Sequence, residues 1–200
     1  MKATNLLKRQ HRQAERLFRQ IQRSKDESER VELVSELATA LSAHMAIEEQ
    51  IFYPAAQQVL SGKKALMGET AYLEHMNAKT ALQNLLGEGP MSFEARLKVL
   101  KELVEHHVKE EEEQLFPELE ALIDETEMKS MGTRMQETFE QMEVLGHEEI
   151  MAQDMQLMAG RAEGGSKATA TSAGQNGGGT KARANGAKTT RSTGRAQARA

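Results

Sequence analysis

Two stretches of this chain carry the same chemistry at the same spacing. "HMAIEEQIFYP", residues 44–54, is followed sixty-three residues later by "HVKEEEEQLFP", residues 107–117. With the prolines aligned, His44 falls on His107, Glu48 on Glu111, Glu49 on Glu112 and Phe52 on Leu115. On a helix, residues four apart are neighbours on one face, so each copy offers an imidazole beside a carboxylate. That pairing can hold a cation, because both groups present lone pairs and one carries negative charge. The chain has no cysteine, which excludes disulfides and thiolate metal sites.

The elements that position these groups read as helices, with clear helical periodicity and no strand alternation. A first helix over about residues 4–23 has the stripe Leu7, His11, Ala14, Phe18 and Ile21. A second carries Val34, Leu37, Leu41, His44, Glu48 and Ile51, and Pro54 ends or kinks it. A third presents Tyr72, His75, Ala78, Leu82 and Leu85. After the loop "GEGPMS", Ser92 is suited to cap a fourth helix with Leu100, Val104, His107, Glu111 and Leu115, which stops at Pro117. One histidine thus sits on the core-facing stripe of each helix. His11 and His75 are 64 apart, and the same offset maps Ala14 to Ala78 and Phe18 to Leu82. The expectation is an all-α fold: an up-and-down four-helix bundle of two helix-pair repeats, with a site of approximate two-fold symmetry.

A lone histidine on an apolar stripe reads most simply as a core imidazole bonded to a backbone carbonyl. Four of them with two interior carboxylates require more, because buried charge is normally paired or bound to a metal. No Lys or Arg lies on those stripes, so a cation is the expected partner. Two histidines per ion and two bridging glutamates give two ions with four protein ligands each. Positions then remain open for water, dioxygen or peroxide. Imidazole and carboxylate ligands with open positions suit non-haem iron, with manganese or zinc less favoured.

Through "KRQHRQAERLF", "HMAIEEQIFYP", "YLEHMNA" and "HHVKEEEEQLFPEL", residues from about 3 to 145 resemble the hemerythrin family, in its HHE cation-binding branch. The resemblance implies a bundle around a di-iron centre with His11, His44, Glu48, His75, His107 and Glu111 as ligands. It also has departures. Oxygen-carrying hemerythrins place a second histidine one turn after the third-helix ligand, where this chain has Lys79. They end with an aspartate five residues after a histidine, whereas Glu111 follows His107 by four. The departures point away from reversible oxygen carriage, toward a more open site that reacts with dioxygen or peroxide, or senses oxygen or iron.

Glu49, Glu112 and Tyr53 could orient ligands or move protons. For the two glutamates a solvated position is the simpler reading, and Tyr53 could equally just pack where Phe116 does in the other half. His106 sits about 100° around the helix from His107 and is expected in solvent. His147 is expected at the surface. Met128, Met131, Met135, Met142, Met151, Met155 and Met158 line a fifth helix, expected to pack on the bundle; a partner-binding face is the alternative.

Composition divides the chain into a domain over residues 1–159 and a Gly/Ala/Thr/Lys/Arg tail over 160–200. From Arg161 onward there is no Leu, Ile, Val, Phe or Met, a composition expected to be disordered. The tail has eight basic residues against one acidic, +7, so the net charge of -4 leaves -11 on the rest. An acidic body argues against a nucleic-acid-binding core. Residues 161–200 alone could touch phosphates weakly and without sequence preference, or simply remain solvated. The start of the chain lacks a signal-peptide run, and no stretch approaches the roughly 20 apolar residues of a membrane span. The expectation is therefore a cytoplasmic, non-haem di-iron protein of open oligomeric state that reacts with dioxygen or hydrogen peroxide. The alternative is an iron- or oxygen-responsive sensor without turnover, whose tail contacts a partner.

Overall fold

The structure, a computed structural model, describes residues 1–157. The expectations for Met158 and for the tail over 160–200 lie outside the described residues. Helix α1 (Ala3–Arg23) pairs with α2 (Glu27–Ile47), and α4 (Ala65–Leu86) pairs with α5 (Phe93–Glu110). Wide π-helical turns, Glu48–Phe52 and Glu111–Leu115, join α2 to α3 (Tyr53–Val59) and α5 to α6 (Phe116–Leu122). Helix α7 (Glu125–Leu145) lies against α1 and α2, and α8 covers 147–157. The fold is all-α, a four-helix bundle of two helix-pair repeats with added C-terminal helices. Among the described residues no helix is long and apolar enough to cross a membrane.

Local signals account for the boundaries. The Asp26 carboxylate accepts from the Glu29 N–H at 2.9 Å and starts α2. Ser92 accepts from the Ala95 N–H at 3.2 Å and starts α5, as its sequence position predicts. Asp124 accepts from the Thr126 and Glu127 N–H groups and starts α7. Each cap satisfies donors that have no partner within the helix, a contribution of about 1 kcal/mol.

Two expectations need correction. The fourth helix does not stop at Pro117, because helical backbone continues to Leu122. The extra residue in the π turn, closed by the Phe116 N–H on the Glu111 carbonyl, puts Pro117 at the start of a new helical run. There its missing N–H and its ring are tolerated. Pro54 is placed identically after the turn closed by Tyr53 on Glu48. The methionine-rich stretch forms two helices, α7 and α8, because Gly146 has φ +79 and breaks the run. Met128, Met131 and Met135 are buried, whereas Met155 is exposed.

The core has two apolar parts. One gathers Leu6, Leu7, Ile47, Phe52, Phe116, Leu119, Met131 and Met135. The other gathers Ala14, Phe18, Leu37, Leu41, Leu82, Leu85 and Leu100. Helices α1, α2 and α4 each cross from one to the other, so His11 falls between Leu7 and Ala14, and His44 between Leu41 and Ile47. His75 likewise falls between Ala71 and Ala78. The polar side chains therefore form a layer closed above and below by hydrocarbon.

Helix α7 closes one side by letting the chain start pass over it without a side chain between. A Cβ on Gly132 would stand 2.2 Å from the Met1 carbonyl oxygen and 2.8 Å from the Ala3 nitrogen. Both are backbone atoms, so a methyl group can be accommodated only by moving α1 or α7. We expect Gly132→Ala to destabilise the protein by about 1–3 kcal/mol, despite alanine's better helix propensity. Chemical denaturation checks this; an unchanged or raised midpoint would show that the contact does not hold the N-terminus.

Candidate metal centre

The structure brings His11, His44, Glu48, His75, His107 and Glu111 into one buried layer. Their inner atoms converge. Glu48 Oε2 stands 3.2 Å from both His44 Nε2 and His75 Nε2. Glu111 Oε2 stands 3.4 Å from His11 Nε2 and 3.6 Å from His107 Nε2. Each carboxylate therefore spans the two halves. Donor atoms sharing one ion at about 2.1 Å lie roughly 3.0–3.5 Å apart, and the separations here run from 3.2 to 3.6 Å. Two overlapping groups have ligand atoms within 4.8 Å of one another: His11, His44, Glu48 and Glu111, and Glu48, His75 and His107.

The outer nitrogens explain why the inner ones face inward as lone pairs. His11 Nδ1 is 2.8 Å from Glu112 Oε1, and His75 Nδ1 is 2.9 Å from Glu49 Oε1. His44 Nδ1 is 2.9 Å from Gln10 Oε1, and His107 Nδ1 is 2.9 Å from Glu74 Oε2. Carboxylate and carbonyl oxygens only accept, so each Nδ1 carries the proton and donates it. In a neutral ring the Nε2 is then a bare lone pair. His75 Nε2 and His107 Nε2 face each other at 3.1 Å, which suits two ligands of one cation and not two free acceptors.

The carboxylates tell the same story. Both oxygens of Glu48, together with Glu111 Oε2 and His11 Nε2, are buried without a hydrogen-bond partner. Burial and then the facing Glu111 charge push the Glu48 carboxyl well above the usual range. Burial would raise Glu111 too, but His107 and His11 outweigh it and draw it down. Burial, reinforced by His11, holds His44 well below its ordinary value; burial and His107 do the same to His75. Burial also lowers His11, but Glu111 and Glu112 more than offset this and raise it. The residues present fit a pair of cations, which would neutralise both glutamates and occupy all four Nε2 lone pairs.

Several neighbours differ from their sequence reading. Glu49 is buried and Glu112 half-buried, each fixing a histidine, so neither is a solvated acid. Lys79 is also buried and is the cation that the stripes seemed to lack. Its Nζ donates to Glu49 Oε2 at 2.8 Å and to Asp154 Oδ2 at 2.7 Å, and it reaches neither Glu48 nor Glu111. Burial lowers Lys79, but Glu49 and Asp154 outweigh that and raise it. The Tyr53 hydroxyl sits among the inner atoms, donating to Glu111 Oε1 at 3.0 Å with His75 Nε2 also at 3.0 Å. Burial and the Glu111 charge push it well up, so it keeps its proton. His147 is half-buried with its Nδ1 2.7 Å from Ser42 Oγ, rather than at the surface. His106 is 63% exposed, as expected, 3.4 Å from Glu110 and 3.5 Å from Glu74.

Gln10 and Glu74 went unnoticed in the sequence. Each directly precedes the first histidine of its half at the same 64-residue offset, the signal that could have found them. Beside the four histidines lies an apolar cavity of about 30 Å³, lined by Ala14, Leu41, Met45, Ala78, Val104 and Phe139.

Residues 2–119 match the family model described as the hemerythrin HHE cation binding domain. Among solved structures, the chain is similar to a hemerythrin HHE cation binding domain-containing protein from Mycobacterium kansasii. The two are 28% identical with a TM-score of 0.63, over 72% of this chain and 88% of that one. Among curated proteins none matches.

Two outcomes follow from the geometry. His44→Ala or His107→Ala should lower bound iron, measured by elemental analysis, while His106→Ala leaves it unchanged and shifts stability by no more than about 0.5 kcal/mol. Retained iron in His107→Ala with loss in His106→Ala would contradict the register of α5. Glu48→Gln should leave the metal-free protein as stable as the parent or up to about 2 kcal/mol more stable, since it removes a carboxyl whose ionised form burial and Glu111 disfavour. The same variant should lose the stabilisation that added metal gives the parent. Comparing unfolding midpoints with and without metal checks both signs.

Proposed function

This chain belongs to the hemerythrin HHE cation-binding domain family, and from that premise we propose that its buried layer holds two iron ions and decomposes hydrogen peroxide. The observation that carries the reading is the convergence of four inward Nε2 atoms on two carboxylates whose inner oxygens lack donors. His11 and His44 would hold one ion, His75 and His107 the other, and Glu48 and Glu111 would bridge them. When bound, an iron pair supplies the two-electron exchange that turns two peroxide molecules into two waters and one dioxygen. Manganese offers related chemistry, whereas zinc has no redox change and fits only a structural role.

The chain's own residues contribute in identifiable ways. Glu49, Glu112, Gln10 and Glu74 fix the four rings by their Nδ1 protons, so the Nε2 positions are set before a cation arrives. Tyr53 holds a proton 3.0 Å from a Glu111 oxygen, placed to donate to an oxygen atom bound within the layer. The apolar cavity, about 30 Å³, suits a molecule of two or three non-hydrogen atoms. Dioxygen fits that space as well as peroxide does.

One contact favours a second reading, a sensor without turnover. Lys79 joins Glu49, and hence His75, to Asp154 on α8. A change in the layer would thereby reach the C-terminal helix.

The iron-loaded full chain should evolve half an equivalent of dioxygen per peroxide over many turnovers, followed with an oxygen electrode. Glu48→Ala or Glu111→Ala should cut the rate at least 100-fold by removing a bridge. If the fully iron-loaded protein consumes less than one equivalent of peroxide, the enzyme reading is wrong and the sensor stands.

A further inference from the structure

The two halves of the layer are equivalent almost everywhere. Glu49 and Glu112 occupy matching places sixty-three residues apart, and each accepts from the first histidine of the opposite half. Phe116 stacks on His11 at 5.9 Å where Tyr53 lies 5.2 Å from His75. Gln10 and Glu74 are matched too, each accepting from the second histidine of its own half at 2.9 Å. Here the match is geometric and not electrical, since one partner is a neutral amide and the other a carboxylate.

The charges around these four acceptors leave that difference standing. Glu112 is paired with Arg12 at 2.7 Å, and Glu49 with Lys79 at 2.8 Å. Lys79 is shared with Asp154, so its positive charge is more fully offset than that of the exposed Arg12. The exposed His106 stands 3.5 Å from the second oxygen of Glu74, with the Glu110 carboxylate in the same cluster. Glu74 Oε2 lies 2.9 Å from His107 Nδ1, so it is placed as an ordinary side-chain carboxylate accepting that nitrogen's proton. Behind His75 and His107 stand two carboxylates, while behind His11 and His44 stand one carboxylate and one amide. A carboxylate on Nδ1–H makes the opposite nitrogen a stronger donor and adds negative charge close to the ion, an effect on the order of 10–100-fold in affinity.

We propose that the two cation positions are unequal and fill in order, the His75–His107 position first, with Gln10 and Glu74 as the positioning residues that set the difference. This rests on the two-ion reading of the layer. It assigns the pair a function beyond holding rings in place: a first ion is directed to one half, and the second position stays weaker. A weak second position makes the fully loaded state responsive to metal supply.

Titrating the metal-free full chain with Co²⁺ at neutral pH, by calorimetry and by native mass spectrometry, tests this. Repulsion between two ions separates the steps even in a symmetric site, so the variants decide. Glu74→Gln keeps the hydrogen bond and removes the charge, and should weaken the first step by about tenfold or more. Gln10→Glu should strengthen the second step by a similar factor, a gain that mere damage to the fold cannot produce. His11→Ala should leave the tight step and abolish the weak one, whereas His107→Ala should do the reverse. The proposal is overturned if Gln10→Glu strengthens neither step, or if Glu74→Gln leaves both constants unchanged. It is overturned also if His11→Ala and His107→Ala remove the same step. A parent chain that takes up no cobalt, or at most one ion, would instead refute the two-ion reading beneath it.

Discussion

Negative charge confined between Glu48 and Glu111 is the constraint on which the rest of the structure turns. Neither oxygen of Glu48 has a hydrogen-bond donor, and both carboxyls are almost wholly removed from water. In such a setting a carboxylate must either take a proton or meet a cation. Everything packed around the pair favours the second outcome. The rings beside it are turned so that lone pairs, and not N–H groups, face inward. That orientation depends in turn on Gln10, Glu49, Glu74 and Glu112, which accept the outer protons. Two of those acceptors rest on Lys79 and Arg12. The compensation therefore spreads outward from the buried carboxylates to the imidazoles, then to the four acceptors, then to Lys79 and Arg12.

A polar layer of this kind contributes little to folding by itself, so stability has to come from elsewhere. The two apolar clusters that close the layer above and below supply it. Phe52 and Phe116 meet edge to face at 5.5 Å, both fully buried, and rigidify the end at which both π turns lie. Burial of each such ring contributes roughly 2–3 kcal/mol. The bundle can thus hold its ligand set in place before any ion binds, which is what orders the donor atoms at the spacings seen.

The four-helix bundle, its two-fold repeat and the six inner residues were legible in the sequence because each of the four histidines, and a glutamate one turn after His44 and His107, falls on an apolar stripe. What escaped notice depends on features that a single stripe does not encode. A π turn adds a residue and shifts the helical phase, so Glu48 and Glu49 can both be buried although an α-helix would set them about 100° apart. The same shift buries both Phe52 and Tyr53, and carries the chain past each proline. Lys79 was visible one turn after His75, but its partners come from a π turn and from α8, which only the assembled fold brings together. Gly132 has no periodicity to betray it, since its purpose is set by a backbone crossing at the other end of the sequence.

Repetition and its exceptions divide the chemistry between them. Where the halves agree, at the histidines, at Glu48 with Glu111 and at Glu49 with Glu112, the agreement gives the layer its approximate two-fold symmetry. Where they differ, the layer gains a direction. Tyr53 and Glu74 both act on the His75–His107 side, one bringing a hydroxyl proton to 3.0 Å from the Glu111 carboxylate and the other adding charge behind a ligand. Their counterparts, Phe116 and Gln10, offer a ring face and a neutral amide to the His11–His44 side. A proton donor beside the more strongly charged half, with an apolar cavity against all four histidines, makes the two halves chemically distinct. A small molecule bound across the layer would meet a donor at one end and hydrocarbon at the other, and so be held in one orientation of the two that the repeat alone would permit.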